Sequence, residues 1–508
     1  MPTGISLATL LSGCEARYWG PSDEPVTGLA YDSRQVIQGQ AFVAIPGFVH
    51  DGTSFASEAI DGGAVAVVAE VGPEAVPLLQ PPRTWARVGD ARLALARMAC
   101  CFYENPSHQL TVVGVTGTDG KTTVTALLEA MLAERGPCGR WSTTAVRIGG
   151  RHRAAERTTP EAPDLQRALW EMVGVGCWAA AIEVSSHALV LQRVAGTRFG
   201  AAIFTNLSPD HLDFHQGLED YLNAKAGLFE SLREESIAVL NAGDPVASAL
   251  AKRTPARVVG YGWDAVTTVP TAYSIRQWST TKTGSKLLLE TPQGALTLRS
   301  PLFGRANAEN LAAATAAAME LGCSPAQVVR AAASFAGVRG RLQTLQAGQP
   351  FTVLVDYAHT PGALRAALAA SRDLTPHGRL IVVFGCGGDR DPSKRPVMGR
   401  VAAGAAEQVL ITTDNPRSED PEAIIGEIAA GIPPSTAATV ERQPDRRRAI
   451  ERALSLADPG DCVLIAGKGH ETEQLFADRA IAFDDLQVAQ KWLASRFGED
   501  SQGGGVDR

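Results

Sequence analysis

Residues 110–123, LTVVGVTGTDGKTT, carry the densest chemistry in the chain, because Gly114, Gly117 and Gly120 lead directly into Lys121, Thr122 and Thr123. Glycines let a backbone turn tightly, so that N–H groups and the first turn of a helix point at an anion. A lysine placed there lies on β- and γ-phosphates, and a threonine hydroxyl lies on Mg²⁺. Val115 breaks the strict G-x-x-x-x-G-K-[ST] spacing and leaves the shorter G-T-x-G-K-T form. The pattern reads as an ATP site built from Gly117, Thr118, Asp119, Gly120, Lys121, Thr122 and Thr123.

Further chemistry stands at the ends of apolar runs. Glu183 and His211 each close one, and with Thr122 they form a donor set for Mg²⁺, a hard cation that prefers oxygen. Lys225 sits in a helical stretch whose Tyr221, Leu222, Leu228 and Phe229 share one face. Two readings are open for it. It is a surface lysine lying along its own helix, or it is a desolvated amine that reacts with CO₂ and ligates a second Mg²⁺ as a carbamate. Arg390, Lys394 and Arg395 lie in GCGGDRDPSKRP (385–396), and Arg417 lies in a proline-fixed turn, DNPRSEDP (414–421). Arginine presents a planar fork to carboxylates, while Asp414 and Glu471 suit an ammonium, so this cleft fits a zwitterion.

These groups need a frame that brings strand ends together. Residues 112–115 read as a buried strand followed by a helix after Thr122, and residues 177–184, 200–205 and 237–240 read as the next strands. Strands alternating with helices from about 110 to 338 argue for a mostly parallel sheet. Residues 265–300 change character and read as a small antiparallel meander. From about Gly340, runs at 351–355, 379–384, 408–412 and 461–466 each end in a polar cluster, as expected for the rim of a binding cleft. Residues 1–105 mix short strands and helices, with a helix from about Ser54 and a strand at 64–69. There Asp32, Ser33 and Arg34 and the stretch 48–50 are either ligand contacts or caps and turns. Residues 105–107 read as a linker, and the tail SQGGGVDR reads as disordered.

The chain has 508 residues, enough for about three domains. A net charge of −7 gives no basic footprint for nucleic acid. The eight cysteines form no dense framework and no C-x-x-C pair, which suits a reducing compartment. Neither a signal-peptide pattern nor a run of about 18 apolar residues occurs, so a cytoplasmic protein without membrane insertion is expected.

The motifs GTDGKTT (117–123), ERTTP (156–160), EVSSHAL (183–189), NLSPDHLDFH (206–215), YLNAKAGLF (221–229), VDYAHTP (355–361), FGCGGDRDPSKRP (384–396), DNPR (414–417) and GKGHE (467–471) together resemble the Mur ligase family, in its order and over nearly the whole chain. The resemblance implies a three-domain α/β architecture. Residues 1–106 would be a small N-terminal UDP-binding domain, 107–338 a central P-loop-type parallel-sheet domain, 339–497 a C-terminal Rossmann-like domain, and 498–508 a disordered tail. It implies ATP-dependent amide-bond formation on UDP-N-acetylmuramoyl-L-alanyl-D-glutamate, the step that adds the third residue of the peptidoglycan stem peptide. Lys121, Glu183, His211 and Lys225 would be catalytic, with Mg²⁺ on Thr122, Glu183, His211 and Lys225 as its carbamate.

The acceptor would meet Tyr31, Ser33, Phe48, Val49, His50, Thr158, Thr159, Ser185 and Arg193. The adenine nucleotide would meet Asn307, Arg341 and His359. Arg390, Asp414, Asn415, Pro416, Arg417, Gly467 and Glu471 would hold the amino acid. In the family DNPR goes with meso-diaminopimelate, its arginine pairing with the distal carboxylate; L-lysine and L-ornithine are the alternatives, and a monomer is expected. Four positions depart from the family pattern: Asp119 stands in place of Asn, Ala306 of Phe, Arg339 of Pro, and Leu191 of a polar substrate contact. Asp119 and Ala306 also suggest a non-catalytic nucleotide-binding paralogue, while the DNPR and GKGHE pocket argues against a folylpolyglutamate synthetase.

Overall fold

The computed structural model describes residues 4–48, 50–76, 82–263, 269–281 and 283–497. Val49 and the tail expected to be disordered, 498–508, lie outside the described residues. Among the described residues three large sheets, each in one of the sequence regions set out above, carry the fold, beside two small two-stranded pairs.

The first sheet has five short strands in the order Arg17–Trp19, Thr84–Arg87, Ala66–Ala69, Ala41–Val43, Leu29–Ala30. All pairs are parallel except the one made by the edge strand Arg17–Trp19. The helix Ala91–Phe102 closes one face, capped by Asp90 accepting from Leu93 N–H. The segment expected to be a linker is instead a helical turn, Pro106–His108. Its Ser107 is buried and accepts from Arg198 N–H at 3.0 Å, so the junction is fixed by hydrogen bonding.

The second sheet has eleven strands, and Thr111–Thr116 lies between Ala179–Glu183 on one side and Phe199–Phe204 on the other. The chain leaves Thr111–Thr116, builds the first side, and then crosses to the second. The loop after that strand therefore sits at the point where the winding reverses, where open α/β sheets bind ligands. Val113 and Val115 pack into one core and Val112 into the opposite one. Burial on both faces explains an uninterrupted apolar run. Helices Lys121–Ala133 and Arg305–Glu320 cover one face, and Ala162–Gly174 and Leu218–Glu230 cover the other. The small antiparallel meander expected over 265–300 forms as Thr271–Thr281, Gly284–Thr291 and Gly294–Ser300, with 265–268 and 282 outside the described residues, but it does not stand apart from the central sheet. Thr271–Thr281 pairs parallel with Arg257–Trp263, and only the following two strands turn antiparallel, so the segment extends the central sheet. Buried Tyr273, Ile275, Leu287, Leu289 and Leu298 face the same core as the helix Arg305–Glu320, which is what draws them in.

The third sheet runs Gln343–Leu345, Thr352–Asp356, Cys462–Ala466, Leu380–Phe384, Gln408–Ile411, Thr439–Arg442. All but the first strand are parallel. The four expected strands are therefore neighbours, and their carboxyl ends share one rim. Below that rim the side chains of Arg446 and Asp485, both fully buried, form a two-pronged pair at 2.8 and 2.7 Å, while Arg446 also donates to the carbonyl of Ala466. Removing one partner strands a charge in the core. Asp485→Ala is expected to cost about 3–5 kcal/mol in denaturant unfolding, and a paired apolar replacement of both residues far less.

Candidate active site

The turn after Thr111–Thr116 is shaped by space as much as by propensity. Gly117 has φ +144°, and a Cβ there would stand 1.9 Å from Thr205 Oγ1. Gly120 has φ +87°, and a Cβ there would stand 2.3 Å from Asn310 Oδ1. The helix then begins at Lys121 with no side chain capping its first turn, so its free N–H groups face the cleft. The neighbouring strand end grips this loop. Thr205 Oγ1 and Asn206 Nδ2 donate to the carbonyl of Asp119, Asp119 N–H donates to Asn206 Oδ1, and Ser208 N–H donates to Thr118 Oγ1. Lys121 Nζ curls back onto the carbonyls of Gly117 and Thr118 at 3.0 and 2.8 Å.

A cleft of about 170 Å³ opens over this loop. Thr118–Thr123, Glu183, Thr158, Ser185, His211, Arg341 and His359 line it, so the expected phosphate loop and three of the four expected metal ligands converge. Glu183 is fully buried and held by Thr143, whose N–H and Oγ1 donate to it at 2.8 and 3.0 Å. Burial pushes the His211 imidazole down to about 4, keeping it in the neutral form that can ligate a cation.

Lys225 lies beneath the loop at 1% exposure, its Nζ donating to the carbonyl of Gly117 at 2.8 Å and standing 4.1 Å over the Tyr221 ring. The surface reading of Lys225 is thereby overturned: the helix turns this face inward against the phosphate loop. Burial, with Lys121 nearby, holds its amine well below the usual lysine range. Among the described residues no three His, Cys, Asp or Glu side chains converge as a metal site. The expected set draws only Glu183 and His211 from those types and completes itself with the Thr122 hydroxyl and a modified lysine. A hydroxyl and carboxylates on one wall suit the oxygen preference of Mg²⁺.

Arg341 crosses from the third sheet to this loop, donating through Nη2 to Thr122 Oγ1 at 3.1 Å while its guanidinium lies 4.5 Å over the Tyr357 ring. Asn307 does not line the cleft. It accepts from Asn310 Nδ2, and Asn310 in turn abuts Gly120, so Asn307 supports the loop from behind. Asp119 faces the cleft with its carboxyl raised by burial, against the pull of Lys121 and His359.

A second cleft of about 190 Å³ follows the rim of the third sheet and is lined by Arg390, Lys394, Asp414, Asn415, Arg417, Gly467 and Glu471. It shares Asp210, His211, Tyr357 and His359 with the first cleft, so the two meet across one wall. Arg417 adopts φ +51° and donates through Nη1 to the carbonyl of Gly388 at 2.7 Å. Pro416 shapes that turn without lining the cleft, its carbonyl filling the space beside Gly388.

Arg395 does not reach the cleft with its neighbours. At 1% exposure it is bound by Glu419 at 2.8 Å and Glu427 at 3.0 Å, and it anchors the helix Lys394–Ala403 to the rim. Asp414 and Glu471 also do not stand alone as expected: the buried ammonium of Lys468 lies 3.0 Å from Glu471 Oε2 and 3.8 Å from Asp414 Oδ1. Lys468 belongs to the polar cluster that ends the run at 461–466, but nothing in GKGHE marks it as the buried partner of these carboxylates. Asp210 and Tyr357 stand in NLSPDHLDFH and VDYAHTP without a role of their own, and Thr143 lies in no motif, so nothing in the sequence marks it as the partner of Glu183.

The residues expected to meet the acceptor fall into two groups. Thr158 and Ser185 line the first cleft, while buried Thr159 donates to the carbonyl of Glu183 and receives Arg193 on its own carbonyl. Tyr31 lines a third cleft of about 220 Å³ between the first sheet's unit and the helix Ala162–Gly174, its hydroxyl donating to Asp164 at 2.6 Å. Ser33 is turned away, donating to Glu58 at 2.5 Å as a local tie. Phe48 is 76% exposed with its ring 5.8 Å from Phe214, and His50 packs edge-on to Phe55.

Profiles described as "Mur ligase family, catalytic domain", "Mur ligase middle domain" and "Mur ligase, glutamate ligase domain" match residues 25–103, 115–318 and 340–469. The chain is similar to a Gloeobacter violaceus protein named UDP-N-acetylmuramoyl-L-alanyl-D-glutamate--2,6-diaminopimelate ligase, at 44% identity over 93% of this chain and 95% of that one. A Geobacillus kaustophilus protein of the same name is 42% identical over 97% of this chain and 100% of its own length. A solved structure titled with that activity aligns with TM-score 0.66 and 32% identity, covering 97% of this chain and 99% of that one. A Mycobacterium tuberculosis folylpolyglutamate synthase complexed with ADP and AMPPCP shares the fold at TM-score 0.60 and 18% identity, over 81% of this chain and 96% of its own.

Proposed function

The chain belongs to the Mur ligase family, and from that premise we propose that it joins meso-2,6-diaminopimelate to the D-glutamate γ-carboxylate of UDP-N-acetylmuramoyl-L-alanyl-D-glutamate at the expense of ATP. The observation that carries this reading is the shared wall. A phosphate-binding cleft and a cleft carrying both arginines and carboxylates meet at Asp210, His211 and His359.

The γ-carboxylate oxygen of the acceptor attacks the γ-phosphorus of ATP, the bond to the bridging oxygen breaks, and ADP leaves. The amine of the amino acid then attacks the acyl carbon of the resulting acyl phosphate. Phosphate departs with the bonding pair and the amine loses its proton. Both steps gather anions, and Lys121 with the free N–H groups of its helix answers the charge on the phosphoryl group. Bound on Thr122, Glu183 and His211, with Lys225 as a carbamate, Mg²⁺ would supply the Lewis acidity that the transferring phosphoryl group needs. Asn307 holds the loop, and Arg341 couples its Thr122 to the third sheet. Arg417 and Arg390 receive the distal carboxylate, with Asp414 and Glu471 toward the ammonium. Bringing three substrates to one wall supplies much of the remaining acceleration through orientation.

In this reading residues 1–106 receive the uridine nucleotide around Tyr31, Phe48 and His50, 107–338 the ATP, and 339–497 the amino acid, in a cytoplasmic monomer. No described helix is long and apolar enough to cross a membrane.

The test is phosphate release from ATP with Mg²⁺ and the acceptor, offering meso-diaminopimelate, L-lysine and L-ornithine separately. Release with diaminopimelate alone is expected. Arg417→Ala should raise KM for diaminopimelate on the order of 10²-fold, because it leaves a desolvated carboxylate unpaired. Release with lysine or ornithine instead would sink the role given to Arg417. Silence in every mixture, with ATP still bound, would favour a non-catalytic paralogue and turn attention to Asp119.

A further inference from the structure

Lys468 follows the strand Cys462–Ala466 and is fully buried beneath the second cleft, absent from its lining. Its Nζ donates to Asn415 Oδ1 at 2.9 Å and to Glu471 Oε2 at 3.0 Å, and it faces Asp414 Oδ1 at 3.8 Å. Asn415 Oδ1 also accepts from Leu475 N–H at 3.1 Å. With its oxygen claimed twice, the Asn415 amide has one orientation, and its Nδ2 donates to Glu471 Oε2 at 2.8 Å. The lysine thus fixes two pocket side chains at once.

It also sets their charge. Another buried cation under this rim, Arg446, is already matched by the fully buried Asp485. Against the carboxylates of Asp414 and Glu471, Lys468 leaves one net negative charge. Asp414 Oδ1 remains buried without a hydrogen-bond partner, an acceptor still owed a donor. A substrate end bearing one ammonium and one carboxylate matches this arrangement, with Arg417 opposite.

We propose that Lys468 is a positioning residue that orients Asn415 and Glu471 and trims the Asp414–Glu471 pair to a single uncompensated charge, making the pocket selective for a zwitterionic amino-acid terminus over a purely cationic one. The assignment rests on the amino-acid role given above to the second cleft. It concerns a side chain that touches no substrate and acts only through its neighbours.

The experiment is steady-state phosphate release by full-length wild type, Lys468→Met and Lys468→Arg with meso-diaminopimelate and with L-lysine, varying each substrate in turn. Met is unbranched like lysine and one atom shorter, and it removes the charge. Lys468→Met is expected to raise KM for diaminopimelate about tenfold or more, since truncating one partner of a buried charged network costs at least that much. KM for ATP and for the UDP-linked acceptor should stay within about twofold, as each tenfold corresponds to a full contact's worth of free energy. The preference for diaminopimelate over L-lysine should fall, and Lys468→Arg should recover part of both.

An unchanged KM for diaminopimelate overturns the proposal. So does a common rise in the KM of all three substrates, or a lost cooperative melt, because Lys468 would then hold the fold and not the pocket. An arginine variant no better than methionine overturns the charge argument. A silent wild type would overturn the underlying reading itself, and that outcome is distinct from any difference between variants.

Discussion

Lys121→Ala is expected to lower kcat for acceptor-dependent phosphate release about 10²–10³-fold while leaving thermal unfolding unchanged, the loss typical of removing one preorganised donor from a developing anion. The two halves of that expectation have separate causes. Lys121 is the first residue of its helix, and alanine is the best helix former, so the backbone there loses nothing. The lysine's present contacts are with the Gly117 and Thr118 carbonyls of its own loop, and Gly117 O keeps a second donor in Lys225. What disappears is a positive charge within reach of the phosphates, in a cleft where the other cation touching the loop, Arg341, is occupied with Thr122 and Tyr357. Steady-state kinetics beside a melting curve decides the matter. A variant with wild-type turnover would remove Lys121 from the mechanism, and one that melts early would make it a structural residue.

The polar ends of apolar runs made the site legible in the sequence. Thr111–Thr116, Ala179–Glu183 and Phe199–Phe204 are each buried on both faces, so their unbroken apolar runs announced parallel strands, and the polar residues after them had to share an edge. The same reasoning found the four strand ends of the third sheet. It failed where partners come from far along the chain. Arg395 looked like Lys394 on paper, and only Glu419 and Glu427, brought in by the next turn and helix, take it out of the cleft. Lys468 sits between glycines in a motif noted for its ends, and nothing in a linear reading shows that its side chain turns under the pocket. Ser33 was open between a ligand contact and a local turn, with an acceptor role implied only by the family resemblance, and its hydroxyl donates to Glu58 twenty-five residues on. The antiparallel turns after Thr271–Thr281 were legible, but its parallel pairing with Arg257–Trp263, made as Tyr273 and Ile275 join the central core, was not.

Lys225 carries the second large effect, and here stability and activity are expected to move in opposite directions. As a free amine held well below its usual pKa by burial, it binds a proton less readily in the folded protein than in the unfolded chain. At every pH below the ordinary lysine value that difference works against folding, and stability rises as the pH climbs toward that value. Lys225→Met removes the difference and nearly preserves volume. Gly117 O, which accepts from Lys225, keeps Lys121 as a donor, so no carbonyl is orphaned. The variant should therefore melt no lower than wild type.

Turnover should nonetheless fall about 10²–10³-fold, the scale of losing an electrostatic group that serves the transferring phosphoryl. The depressed pKa keeps the amine neutral enough to add to CO₂, forming an N–C bond and releasing one proton to leave a carbamate anion under the phosphate loop. Stripping CO₂ from buffer and protein should then depress wild-type activity, and bicarbonate should restore it, while the methionine variant responds to neither. Wild-type activity that is indifferent to CO₂ would leave Lys225 acting as an amine. A methionine variant of full activity would show that the buried lysine serves only the packing beneath Gly117.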